Sequence, residues 1–100
     1  MSKWTLVKEF SFEASHVLPH HDGKCAQLHG HSWRGRVLVE GYTLAQDGST
    51  KGMVLDYGDI GRVVGIYVEE YLDHYHLNDS LKMEDPTSEN IARWLFDILH

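Results

Sequence analysis

The chain has 100 residues, enough for one small domain with one modest core. Its 42% apolar and 24% charged residues are ordinary for a soluble globular fold. A formal charge of −6 speaks against nucleic acid and anionic membranes as partners, since no dense lysine and arginine surface can be built from it.

In chain order, Met1 to Leu6 lacks the basic-then-apolar layout of a signal peptide. Trp4 to Phe12 reads as a strand, with Leu6, Lys8, Phe10 and Phe12 on one face against Val7, Glu9 and Ser11. Pro19 to Ala26 carries Pro, Asp and Gly and reads as a loop. A second strand is expected from about His31 to Tyr42, where Val37 and Val39 alternate with polar residues. Ala45 to Gly52 is a turn, with Asp47-Gly48 as a hairpin signal, and Met53 to Leu55 is expected to resume as a short strand.

From Asp56 or Tyr57 to about Tyr71 the apolar period becomes helical through Ile60, Val63, Val64, Tyr67, Val68 and Tyr71. Asp56 is a candidate N-cap, while Gly58, Gly61 and Gly65 each cost the helix about 1 kcal/mol relative to Ala. Leu72 to Pro86 reads as a mostly polar connection. A second helix is expected from Thr87 or Ser88, with Ile91, Trp94, Leu95, Ile98 and Leu99 as its apolar stripe. The expected fold class is α+β: one domain over residues 1–100, an antiparallel sheet with two helices packed on one face. No apolar run approaches a membrane span. Cys25 has no partner for an internal disulfide, so a cytoplasmic location is expected.

Eight histidines stand out, five of them between positions 16 and 31. In an extended chain His29 and His31 project from the same face, so both imidazoles can reach one metal ion. His16 ends the first strand, which would pair beside the second, and is the natural third ligand. Three histidines with an open fourth position form the pattern of a catalytic zinc site. An HxH pair alone also fits a turn with two exposed histidines. Cys25 lies beside Lys24 in a loop; it suits a thiolate base or nucleophile, a fourth zinc ligand, or a small core residue. Asp73-His74 places a carboxylate beside an imidazole, although adjacent residues in a chain rarely face each other. Glu89 fits the first turn of a helix through the dipole alone.

Several segments together resemble the 6-pyruvoyl-tetrahydropterin synthase family. They are Phe10 to His16, Leu18 to His20, Gly23 to Cys25, Leu28 to His31, Met53 to Tyr57, Leu72 to His74, Leu77 to Asp79, and Pro86 to Asn90. The short spacing from Cys25 to the HGH resembles the bacterial branch, whose members make 6-carboxy-5,6,7,8-tetrahydropterin on the route to queuosine and other deazapurines.

The resemblance implies that His16, His29 and His31 hold Zn2+, that Cys25 is the general base, that Asp73 and His74 form a proton relay with it, and that Glu89 helps hold the pterin ring. It implies the tunnelling fold, with a four-stranded antiparallel sheet and two helices on one face. It also implies homo-oligomers, trimers or hexamers, with sites between subunits. The implied substrate is 7,8-dihydroneopterin triphosphate, and the implied products include acetaldehyde and triphosphate.

The family pattern continues past the second helix with a strand bearing a further glutamate, and no residue here matches it. The last strand is therefore expected to be absent from this chain. Two other outcomes belong to the same reading: an enzyme of the 6-pyruvoyl type or one that only cleaves the side chain, and a truncated, inactive zinc-binding module.

Overall fold

A computed structural model describes residues 2–100. Two long strands, β1 (Trp4–His16) and β2 (His29–Gly41), pair antiparallel over their whole length. Leu6, Lys8, Phe10 and Phe12 occupy the more buried face of β1, as the alternation predicts, and the pattern runs on through Ala14 to His16. The ring of Phe10 lies over its cross-strand partner Gly35, where an added Cβ would come within 2.2 Å of the ring. Phe12 stacks on its own partner Trp33, with centroids 5.8 Å apart.

The chain leaves β2 through the Ala45–Gly52 turn, in which Gly48 has φ +78°, a conformation that glycine adopts at no steric cost. Two backbone hydrogen bonds, Ala45 N–H to Met53 O and Gly52 N–H to Ala45 O, close this loop. No strand follows at Met53 to Leu55. Val54 packs over Gly41, and the next residue but one, Asp56, already caps a helix.

That helix, α1 (Tyr57–Tyr67), begins where the Asp56 carboxylate accepts the Gly58 N–H at 2.8 Å. It buries Ile60 and Val64. Its last stretch, Val68–Leu72, widens into a π turn, closed by the Asp73 N–H reaching back to Val68 O at 2.7 Å. Such widened turns are frequent at functional sites.

The segment from Leu72 to Pro86 is more than the polar connection that its composition suggests. It contains a two-residue strand, β3 (Tyr75–His76), and a single helical turn, α2 (Leu77–Ser80). β3 pairs with β1 in parallel, giving the sheet order β2-β1-β3, so the sheet is antiparallel in its long hairpin and parallel at this short edge. Leu72, Leu77 and Pro86 are the large side chains buried most completely, and Leu81 joins them in the core with Phe12, Ala14 and Ile91. Their spacing follows neither a helical nor a strand period, which is why periodicity passes over them.

The last helix, α3 (Ser88–Leu99), starts from Thr87, whose hydroxyl accepts the Asn90 N–H at 3.1 Å, and buries Ile91 and Leu95. The architecture is α+β, with the helices against one face of the hairpin. Among the described residues no helix is long and apolar enough to cross a membrane.

Leu77, fully buried inside this segment, tests its weight in the core. Leu77→Ala should lower the unfolding free energy by about 2–5 kcal/mol, read as a lower urea midpoint at unchanged slope.

Candidate metal centre

The register of the hairpin builds the site. His16 sits directly opposite His29, and Ala14 opposite His31, so all three imidazoles share the face that carries Phe12 and Trp33. Ring centroids are 4.5 Å apart for His16 and His29, 5.2 Å for His16 and His31, and 4.7 Å for His29 and His31. One ligand nitrogen from each lies within 4.8 Å of the other two. His16 is buried, His29 partly buried and His31 exposed, so the cluster opens to one side.

Two of the rings are held by their far nitrogens. His16 Nδ1 donates to the Pro86 carbonyl at 2.8 Å, and His29 Nδ1 donates to the Gln27 carbonyl at 2.7 Å, the tautomers that these acceptors require. Each Nε2 is thereby left as a lone-pair donor, and both Nε2 atoms are buried with no hydrogen-bond partner. Orphaned buried nitrogens are costly and uncommon. Here they face one another in a set whose other nitrogens are anchored on carbonyls, the arrangement that metal-binding histidines use. The residues fit a divalent ion with a preference for nitrogen ligands, zinc among them. Trp33 walls the cluster, with its ring edge-on to His16 at 4.9 Å and to His31 at 5.3 Å, and its indole N–H on the Ala14 carbonyl at 3.1 Å.

Cys25 lies in a 3-10 turn, Lys24–Ala26, on the loop between β1 and β2, half-buried and free. Its sulfur does not join the compact ligand cluster of His16, His29 and His31. Gly30 needs no special room, since a Cβ there would make ordinary contact with the Ala14 carbonyl at 3.6 Å.

Asp73 and His74 do face each other, against the usual expectation for neighbours. The π turn delivers them to the edge of β1, where Asp73 Oδ1 accepts the Glu13 N–H at 2.9 Å and the His74 N–H donates to the Glu13 carbonyl. His74 takes φ +65°, a left-handed conformation that few residues other than glycine adopt, and its Nδ1 meets Asp73 Oδ2 at 3.0 Å. The Glu13 N–H and then His74 hold the Asp73 carboxyl below its ordinary value. His74 lines a cleft of about 530 Å³ together with Glu13, Ser15, Gly30, Ser32 and one member of the histidine cluster, His31. Glu13, Ser15 and Ser32 alternate with the histidine-bearing positions, so their side chains project from the other face of the hairpin. Asp73-His74 thus lies along the β3 edge of β1, away from the β2 edge that pairs with the HGH segment, and shares the cleft with His31. Glu89 is exposed in the first turn of α3, three residues beyond Pro86.

Sequence reasoning missed three supporting residues: Pro86, Trp33 and Asn78. Asn78 accepts the Val17 N–H at 2.9 Å and donates to the Val17 carbonyl at 2.8 Å. Nothing in their residue types alone marks them; their placement beside His16 is tertiary.

A model of the 6-pyruvoyl tetrahydropterin synthase family matches residues 5–100. The chain is 56% identical over 93 residues to a 6-carboxy-5,6,7,8-tetrahydropterin synthase of Synechocystis, which covers 93% of this chain and 72% of that protein. It is 37% identical over 93 residues to a dihydroneopterin monophosphate aldolase of Pyrococcus furiosus, with the same coverage of each chain. Among solved structures it resembles the 6-pyruvoyl tetrahydropterin synthase of Caenorhabditis elegans, with a TM-score of 0.78, 28% identity, 97% of this chain and 76% of that one.

The cluster makes stability depend on pH. Burial is the main reason that the His16 imidazole is held below its ordinary value of 6.5; the Pro86 carbonyl pulls the other way, and the rings of His29, His31 and His76 add to the lowering. The unfolded chain takes up this proton near 6.5 and the folded chain only at lower pH, so the contribution is complete above 6.5 and is lost as pH falls below it. His20 opposes this: its hydrogen bond to Glu84 raises its value, giving a contribution that is present below 6.5 and lost as pH rises through the raised value. Thermal melts of the metal-free His20→Asn variant from about pH 7 to about pH 5 should show a falling midpoint, and the fall should flatten when His16→Gln is added.

Proposed function

The chain belongs to the 6-pyruvoyl tetrahydropterin synthase family, and from that premise we propose that it is a zinc-dependent lyase acting on 7,8-dihydroneopterin triphosphate. The proposed products are 6-carboxy-5,6,7,8-tetrahydropterin, acetaldehyde and triphosphate, in the cytoplasmic synthesis of queuosine and related deazapurines. The observation that carries the reading is the convergence of the unpartnered Nε2 atoms of His16 and His29 with His31, on a cluster open to one side.

His16, His29 and His31 would hold the zinc. When bound, zinc supplies a Lewis acid for the hydroxyls of the substrate side chain, making the neighbouring C–H protons more acidic. Cys25 takes a carbon-bound proton as the general base. His74 passes protons to and from substrate oxygens, with its ring oriented by the Asp73 carboxylate. The Glu89 carboxylate accepts hydrogen bonds from the amino and ring N–H groups of the pterin.

Sites completed between subunits are part of this proposal. Surface area agrees with this. The chain exposes 7226 Å², where a folded monomer of 11.5 kDa exposes roughly 5,800 Å². Its radius of gyration is 16.6 Å, against about 13 Å for a compact chain of this length. Val7 and its cross-strand partner Leu38 are exposed on the face away from the helices, suited to contact with another copy.

The Pyrococcus furiosus relative supports a second reading, an aldolase that cleaves the side chain and leaves a hydroxymethyl pterin. Zinc-loaded protein incubated with 7,8-dihydroneopterin triphosphate separates the two. Acetaldehyde and a carboxylated pterin are expected; a hydroxymethyl pterin without acetaldehyde would establish the aldolase, and no product from zinc-loaded protein would establish a binding module. Cys25→Ala should lower turnover by about 10²–10⁴-fold while zinc content stays at the wild-type level. Loss of zinc together with turnover would make Cys25 a ligand rather than a base.

A further inference from the structure

We propose that Asn78 is a positioning residue of the metal centre. Its carboxamide, assisted by Asn90, fixes the Pro86 carbonyl against His16 and so orients the one ligand that is fully inside the protein. This rests on the reading that the three histidines hold zinc.

His16 is 4% exposed, and the Pro86 carbonyl, at 2.8 Å from Nδ1, turns its Nε2 toward the other two rings. Pro86 has no N–H, so its carbonyl is the only polar group that its backbone offers, and its ring is among the most deeply buried groups in the chain. With φ fixed by the ring, that carbonyl turns only through ψ or with a shift of the backbone that leads into Pro86. The Glu84 carbonyl receives Asn78 Nδ2 at 3.2 Å. The Asp85 carbonyl receives Asn90 Nδ2 at 2.9 Å and the Thr87 N–H at 2.8 Å. Two successive carbonyls ahead of Pro86 are thus each tied down by an asparagine.

The remaining bonds of Asn78 go to Val17, the residue that follows His16. Oδ1 accepts the Val17 N–H at 2.9 Å, and Nδ2 donates to the Val17 carbonyl at 2.8 Å. One planar amide therefore joins the backbone beside the ligand to the segment that carries the ligand's acceptor. It uses both N–H donors and the oxygen to do so. An aspartate keeps the shape and the acceptor and loses both donors; a leucine loses all three. Asn is the residue type that satisfies this junction.

The test measures zinc affinity by competition with a chromophoric chelator, and the visible spectrum of the cobalt(II)-substituted protein. The wild type is compared with Asn78→Ala, Asn78→Asp, Asn90→Ala and, as a control of fold stability in another part of the chain, Asp56→Ala. The Asn78 variants should bind zinc roughly 10–100-fold more weakly, with a changed cobalt spectrum. Asn90→Ala, at an exposed position, should shift both readouts in the same direction by less. Asp56→Ala should lower the melting temperature and leave both readouts unchanged. Asn78 variants that fold less stably yet match the wild type in affinity and spectrum overturn the proposal. If the Asn78 variants fail to fold, Asn90→Ala decides in the same way. A wild-type chain that takes up no stoichiometric zinc overturns the zinc reading itself, and this inference with it, before any variant is compared.

Discussion

The pairing of β1 with β2 in one register is the constraint on which the rest of the structure depends. His16 meets His29, and Ala14 meets His31, at the end of a thirteen-residue ladder. A slip of one residue would turn the β2 histidines to the opposite face from His16 and break the cluster. The register is held along the same face, by aromatic side chains that lead up to the histidines. Phe10 lies over Gly35 and Phe12 stacks on Trp33, and neither fit survives a slip. The aromatic half of the hairpin thereby fixes the geometry of its histidine end.

The cluster is then closed from below by the segment between α1 and α3. This stretch does three jobs in fifteen residues. Leu72, Leu77 and Leu81 supply apolar cover under the end of β1. The π turn and the left-handed His74 set Asp73-His74 against Glu13. Asn78 and Pro86 fix the backbone and the ring at His16. Packing and site geometry are therefore not separable here. A cavity under β1 would also loosen the carbonyl that orients a ligand, which is why such regions resist substitution more than their polarity suggests.

Much of this was legible in the sequence. The two strands, the capped helix at Asp56, the helix after Pro86 and the HxH pair all rest on local periods and caps, which depend only on neighbours in the chain. The same holds for His16 as the third member, because a strand that ends on a histidine beside an HxH strand has few other uses. What was not legible depends on contacts across about sixty residues. Leu72, Leu77 and Pro86 look like parts of a polar loop because no period marks them. Asn78 and Trp33 look ordinary until the fold sets them beside His16. The strand expected at Met53 to Leu55 failed for the opposite reason: its local composition is right, but Val54 is taken up against Gly41 and no partner strand lies alongside.

The hairpin arranges two sets of polar side chains differently. The imidazoles of His16, His29 and His31 gather on the helix-covered face, where burial and carbonyl acceptors leave two Nε2 atoms without a partner. The imidazole–carboxylate pair sits along the β3 edge of β1, beside an open cleft that His31 also lines. A proton relay must come within hydrogen-bond reach of the bond that it serves, about 2.6–3.2 Å. His31 belongs to the histidine cluster and also lines the cleft beside His74. A relay that used His74 would therefore act through the space that His74 and His31 share, at the end of the hairpin where the register brings the imidazoles together.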